Sequence, residues 1–278
     1  MSVRDRVYGQ ATSSRDGRRS FVGVLLAVSV FVLVTSVSCR QVTAPGPARN
    51  LLESGIVTLT DIDQFIADDG PALRQFALES QEPTVEVAGY PLDIVVTRDE
   101  VLNSSDEQLR TILLERSSAL IYAEGLEAFD RTGEQSLRRF SLQGLLELGV
   151  NQVSEDTHDR ATLFSAIALA ACAVLGAILA ATGEGWGRMR SVGVAVTTGA
   201  VPVLLIFIGL RFMAGAIGGG DPFVAGLRDI TESALSVPVR NALIVIVAGM
   251  VVIAASFVLA RLERMLTPAQ PAPEEEYE

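Results

Sequence analysis

Four stretches of this chain, Phe21 to Ser38, Ala161 to Thr182, Val192 to Leu210 and Ala242 to Ala260, are apolar almost without a break. Each is about 18–22 residues long. At a rise of roughly 1.5 Å per residue, each spans a hydrocarbon core of about 30 Å as a helix. Inside hydrocarbon every backbone N–H and C=O must find its partner within the protein, which leaves helices or closed barrels. Blocks this long, without alternation, select the helix. The predicted fold is an α-helical integral membrane protein with four transmembrane helices and a small extracytoplasmic α+β domain between helices 1 and 2. A mean hydropathy of +0.37 over the 278 residues agrees with that class.

Charge orients the helices. All 22 basic residues are arginines. Arg4, Arg6, Arg15, Arg18 and Arg19 precede the first block, Arg188 and Arg190 lie between the second and third, and Arg261 and Arg264 follow the fourth. The positive-inside rule places all of these on the cytoplasmic side of a plasma membrane, with both termini inside. The predicted division is a disordered cytoplasmic tail over 1–20, helix 1 over 21–38 and an extracytoplasmic acidic domain over 39–160. Helix 2 follows over 161–182, a cytoplasmic turn over 183–191 and helix 3 over 192–216. An extracytoplasmic loop with an amphipathic helix covers 217–240, helix 4 covers 241–262, and an acidic cytoplasmic tail closes the chain over 263–278. Trp186 falls at a predicted interface, where an amphipathic ring is favoured.

The first block raises a processing question. SVSC, ending at Cys39, has the small residues of a permissive lipobox, but Ser36 stands where Leu is usual. A run of 18 residues behind a polar tail of 20 reads as a retained anchor. Cleavage at Cys39 would leave three spans in the same orientation. Cys172 lies near the middle of the second block, too far from Cys39 for a disulfide.

The 39–160 region carries about 22 acidic residues against about 10 arginines. That balance argues against nucleic-acid binding. QVTAPGPARN reads as a linker. Helices are expected from Thr60 to Gly70 and again from Pro71, with Gly70–Pro71 as a break. Strands are expected over Thr84–Ala88 and Leu92–Thr97. The clearest helix begins at Ser105, whose capping box with Gln108 precedes an apolar face of Leu109, Ile112, Leu113, Leu120, Ala123 and Leu126, ending near Asp130. A last helix from Ser136 is expected to run through SEDTHDR into the second block. Phe223, Val224, Leu227, Ile230 and Leu235 suit an amphipathic helix on the membrane face.

Residues with chemical potential are few. In the second block Ala166/Ala170, Cys172/Gly176/Ala180 and Ala173/Ala177/Ala181 recur every four residues, which suits close helix packing. Pro202, one turn after Thr197 and Thr198, predicts a kink whose freed backbone groups a threonine hydroxyl satisfies. Arg211 stands at the outer end of the third block, either reaching the headgroups or pairing with an acid such as Asp221 or Asp229. His158, between Asp156 and Asp159, reads as a solvated helix histidine, with surface pH sensing as the sharper alternative. Asn103-Ser104-Ser105 fits both a glycosylation acceptor and a helix start. Gly183, Gly185 and Gly187 join two membrane helices with no strand before them, so they are no phosphate loop. Acid pairs such as Asp68–Asp69 and Glu124–Glu127 read as a solvated face. No cofactor, metal or catalytic set is expected.

The functional expectation is a non-enzymatic membrane protein whose external domain binds a partner or ligand, as subunit, scaffold or sensor, in contact with the lipid bilayer and with a protein partner or a second copy. The alternative is a small channel or transport subunit with Thr197, Thr198 and Pro202 lining a path through helices 2–4. A third, an enzyme using external carboxylates, requires acids that converge in one pocket.

Overall fold

The structure is a computed structural model that describes residues 3–59, 62–90, 92–125, 153–182, 185–216 and 222–266. In chain order the described elements are α1 (Val3–Val42), α2 (Pro45–Leu59), α3 (Ile62–Glu79), β1 (Thr84–Glu86), β2 (Val95–Thr97), α4 (Arg98–Asn103), α5 (Asp106–Glu124), α6 (Glu155–Ala181), α7 (Gly187–Ala216) and α8 (Pro222–Leu266). The fold is mostly helical. Four helices are long and apolar enough to cross a membrane: Gly17–Val42, Glu155–Ala181, Gly187–Ala216 and Ile230–Leu266. Many of their largest apolar side chains stay exposed, among them Phe21, Leu163, Leu205 and Val251. Exposure of apolar surface on that scale fits a multi-pass protein whose surrounding solvent is hydrocarbon.

The chain forms two compact units. One comprises Met1–Thr35, Phe164–Ile206 and Pro238–Glu278; the other comprises Ser36–Leu163 and Phe207–Val237. In the first unit the buried positions are mostly small. Gly193, Ala195, Gly199 and Ala200 of α7 are all buried. A Cβ on Gly193 would come within 2.7 Å of the Ile253 side chain and 2.9 Å of the Gly249 carbonyl of α8. A Cβ on Gly199 would collide with the Ala27 carbonyl of α1 and lie 2.9 Å from Val30 Cβ. Gly249 in turn admits the Thr197 hydroxyl at van der Waals range only because it has no side chain. α7 is thus gripped from two sides at backbone distance, α8 against Gly193 and α1 against Gly199.

Two of the small-residue faces of α6 stay open within the chain, and the third, Cys172, Gly176 and Ala180, is half-buried. Ala166, Ala170, Ala173, Ala177 and Ala181 of α6 are exposed, and no atom lies within 4 Å of a Cβ built on Gly176. All four spans are rich in small residues, so composition cannot choose which face closes. The contacts fall where a glycine of one helix meets a backbone or branched side chain of another.

The second unit holds a core drawn from α2, α3, the β1–β2 hairpin, α4 and α5. Pro45 explains the break before α2: it has no N–H to continue α1 and its ring suits the first turn of a new helix. The expected linker at 41–50 is therefore helix on both sides of a two-residue bend. α2 turns Ala48, Leu52 and Ile56 toward α5. α3 is one helix, not two. Ile62, Ile66, Gly70, Leu73 and Ala77 are its buried positions, a stripe that continues through Pro71. Packing along the whole stripe outweighs the single hydrogen bond that Pro71 removes. Its expected cap, Thr60, lies outside the described residues.

The strands pair antiparallel as expected, Thr84 with Thr97 and Glu86 with Val95, but each is only three residues long. Gly89, at φ +81°, makes the turn. The small sheet makes this unit far more helical than an even α+β mixture. α4 was not anticipated. Its signal is plain in TRDE: Thr97 and Glu100 form a capping box. Ser105 and Gln108 form the second, as the sequence predicts. α5 stops at Gly125, φ +61°, five residues before the expected end. Its buried face includes Leu114, Ser117, Ser118, Ile121 and Tyr122, while Ala123 is exposed.

The expected helix from Ser136 lies outside the described residues. EDTHDR is helical and runs unbroken into the second apolar block as part of α6, which begins after bends at Val153 and Ser154. α8 is a single helix of 45 residues through Pro238, in place of a separate amphipathic helix. α1 likewise begins at Val3, so helix replaces the expected disordered tail. Arginine is a good helix former and no proline occurs before Pro45, so the span extends outward without a stop.

Two glycines give opposite expectations. Gly199→Ala forces α1 away from α7 and is expected to cost about 1–3 kcal/mol. Gly176→Ala adds a methyl in open space and is expected to be neutral or stabilising by up to about 1 kcal/mol. Thermal unfolding of the two variants in the same detergent, compared with the parent chain, checks both signs.

Candidate functional site

The residues singled out by sequence do not meet in one place. Thr197 is half-buried, donates to the Gly193 carbonyl at 2.9 Å and faces Gly249. The carbonyl that Pro202 deprives of its partner is that of Thr198, four residues earlier, so Thr197 is not its substitute donor. Thr197 thus faces α8, while Thr198 and Pro202 are exposed.

Arg211 pairs with the acid Glu232, at 3.5 Å; Asp221 and the Asp229 side chain lie outside the described residues. Glu232 also takes Arg228 at 3.0 Å, one turn earlier on α8. The reason is the length of α8. Because helix replaces the loop, its register brings Glu232 opposite Arg211, and Gly215 opposite Arg228.

His158 is not simply solvated. Its Nδ1 lies 3.2 Å from the Arg40 carbonyl and 3.4 Å from Thr43 Oγ1. A carbonyl only accepts, so Nδ1 carries the proton in this contact. Thr43 Oγ1 already donates to the Cys39 carbonyl at 2.8 Å, so it too can accept from the ring. The Thr43 carbonyl accepts from Tyr122 at 2.9 Å. His158 and Tyr122 therefore secure the bend between α1 and α2, from the start of α6 and the end of α5. Burial first, then the nearby Glu155 and Asp159 charges, push the Tyr122 phenol up, with Arg49 acting against them. Cys39 and Cys172 are both free thiols.

The features that sequence reading missed lie in the α2–α5 core. Tyr90 is buried and meets Ser117 Oγ at 3.0 Å. Ser117 donates to the Leu113 carbonyl at 2.6 Å, so Tyr90 is the donor of the pair. Phe65 packs edge-on against the Tyr90 ring, centroids 5.3 Å apart. Burial raises the Tyr90 phenol above its ordinary value, and the Ser117 bond offsets only part of this.

Glu100 is held more elaborately. Its Oε2 accepts from Thr97 N and Thr97 Oγ1, each at 2.8 Å, and Arg116 Nη2 lies 2.7 Å from both carboxylate oxygens. Arg116 also donates to the Val95 carbonyl. Desolvation pulls this carboxyl upward, but the Thr97 bonds and the Arg116 charge outweigh it, so Glu100 sits below the usual carboxylate range. The outer edge of β2 is thereby closed by side chains from α4 and α5.

An open cleft of about 400 Å³ runs between α3 and α5, lined by Asp63, Ile66, Ala67, Asp106, Glu107 and Arg110. Arg110 binds Asp63 at 2.8 Å and Arg74 binds Asp106 at 2.5 Å. Glu107 has no ion pair among the described residues. Pro71 removes the helical donor of the Ala67 carbonyl. Asp63 and Asp106 are exposed and already paired with arginines, and no group of three or more His, Cys, Asp or Glu suited to a metal occurs among the described residues. Three carboxylates, those of Asp63, Asp106 and Glu107, line this cleft. Comparison with protein-family models, with curated proteins and with solved structures found no match.

The Glu100 site predicts a pH effect. A carboxyl whose folded-state pKa is depressed stabilises the fold above its ordinary pKa, near 4.5, and loses that contribution as pH falls through the folded value. Glu100→Gln is expected to lower the melting temperature at neutral pH and to flatten the decline that runs from about pH 5 down to about pH 3. Melting curves of parent and variant across that range test it; parallel curves would remove Glu100 from the acid response.

Proposed function

We propose that this chain is a non-catalytic, four-span protein of the plasma membrane whose 39–160 region lies outside the cytoplasm and captures a partner or ligand. The cleft between α3 and α5 carries this reading. Its lining offers three carboxylates, with Arg110 and Arg74 turned to two of them, Asp63 and Asp106. Such a surface suits a donor-rich, cationic group, such as an arginine or lysine side chain of a partner protein or an amine-bearing ligand. The strongly acidic composition of the region adds long-range attraction for the same chemistry. A role as subunit, scaffold or sensor follows from binding without a reactive constellation.

The orientation rests on the arginines. Arg18 and Arg19 precede the apolar part of α1, Arg188 and Arg190 open α7, and Arg261 and Arg264 close α8. In the proposed topology all of them, with both termini, face the cytoplasm.

Two measurements test the reading. In a chain carrying Cys39→Ser and Cys172→Ser, Asn103→Cys places one thiol on an exposed residue at the end of α4. Intact cells are expected to label it with an impermeant maleimide; labelling only after lysis would invert the topology. For binding, protein purified from its own host through a C-terminal tag is expected to retain a second species in native mass spectra. Glu107→Arg should reduce that species by about tenfold or more, as a like charge set against a cationic group costs several kcal/mol. Retention unchanged by Glu107→Arg would take the cleft out of the function.

A further inference from the structure

The unit that contains α7 gathers arginines at one end. Arg19 donates to the Gly187 carbonyl at 3.2 Å and to Ser191 Oγ at 2.7 Å, tying α1 to the start of α7. The Arg190 guanidinium lies 4.9 Å above the Phe257 ring, tying the start of α7 to the last turns of α8. These two contacts bring Arg18, Arg188, Arg261 and Arg264 to the same end of the bundle. All four are exposed, and none is ion-paired among the described residues. Elsewhere the arginines are mixed: Arg160 is paired with Asp156 at 2.6 Å and Arg211 and Arg228 share Glu232, while Arg40 and Arg240 are exposed without an ion pair among the described residues.

Depth matters as much as charge. Arg18, Arg188, Arg261 and Arg264 all lie within four residues of the end of an apolar block, about 6 Å of helical rise. An arginine stem that long carries its guanidinium to the headgroup level while its methylenes stay against the apolar face. A guanidinium at that level meets phosphate oxygens in the geometry it bonds best, two parallel N–H···O contacts.

We infer that this end of the bundle is a binding surface for the phosphate of anionic phospholipid headgroups, formed by Arg18, Arg188, Arg261 and Arg264. Arg19 and Arg190 serve a different purpose, holding the helices together, and leave the four outer guanidiniums free for the lipid. The surface takes its ligand from the leaflet on its own side of the membrane. It therefore holds in either orientation of the chain, and its failure would leave the partner-binding reading standing.

The test uses the full chain in mild detergent, with bound lipid counted by native mass spectrometry during titration with phosphatidylglycerol or phosphatidylcholine. Phosphatidylglycerol is expected to be preferred by about fivefold or more at low salt, the scale of a single arginine near an anionic surface. The preference should collapse at high salt. Replacing the four arginines together by glutamine (Arg18→Gln, Arg188→Gln, Arg261→Gln, Arg264→Gln) should abolish it. The matching lysine set should keep it, which guards against a glutamine chain that fails to fold. Arg211→Gln with Arg228→Gln should leave it intact. Equal retention of the two lipids, a preference that survives the glutamine set or high salt, or displacement of the lipid by millimolar inorganic phosphate would each overturn the proposal.

Discussion

Backbone contact at Gly193, Gly199 and Gly249 is the constraint on which the membrane-compatible unit depends. In hydrocarbon, burying a leucine between helices gains little, because lipid tails are as apolar as leucine. What remains is dispersion at short range, which requires the backbones to come close. Gly199 brings α7 against the Ala27 carbonyl, and Gly193 brings it against Gly249 and Ile253. The larger apolar side chains are then free to point outward, which is where Phe21, Leu205 and Val251 are found. The distribution is the reverse of the α2–α5 core, where Leu109, Leu113, Val96 and Ile62 are sealed from solvent and the acids point out. One chain therefore obeys two burial rules, each set by its solvent.

Polar groups inside the α2–α5 core follow a stricter rule. Ser117 and Ser118 are fully buried, and each hydroxyl has a defined partner: Leu113 O and Tyr90 for Ser117, Glu115 O and Glu53 for Ser118. Small hydroxyl side chains let α5 lie close to its neighbours, and their bonds back to the helix satisfy them at little cost. Glu100 and Arg116 do the same at the sheet edge, where an open strand would otherwise invite pairing with another chain.

Much of this was legible from residue order, and the failures share a cause. Span positions follow from length alone, and the Ser105–Gln108 box marks the start of α5 without any tertiary information. The Thr97–Glu100 box was equally readable, but the eye follows apolar periodicity, and α4 buries only Val101. Pro71 misleads in a similar way: it suggests a boundary, yet buried residues continue at helical spacing on both sides, and that continuity wins. The packing glycines were illegible because glycine and alanine occur on every face of the four spans. His158 was read from its sequence neighbours, Asp156 and Asp159, whereas its contacts come from residues more than a hundred positions away.

The arginines show how one residue type does three jobs in one chain, decided by what lies within reach. Where a carboxylate is close, as for Arg74, Arg110 and Arg116, the guanidinium fastens elements of the core together. Where a carbonyl, hydroxyl or ring is close, as for Arg19 and Arg190, it fastens helices. Where neither is close, the charge stays uncompensated by protein, and the surrounding medium must supply the counter-charge. An exposed pair in water would be worth little, since water competes well for both ions. At a membrane surface the counter-charge is a phosphate held in a two-dimensional sheet, and the dielectric is lower. The same unpaired guanidiniums then carry both the proposed orientation of the chain and the proposed choice of lipid beside it.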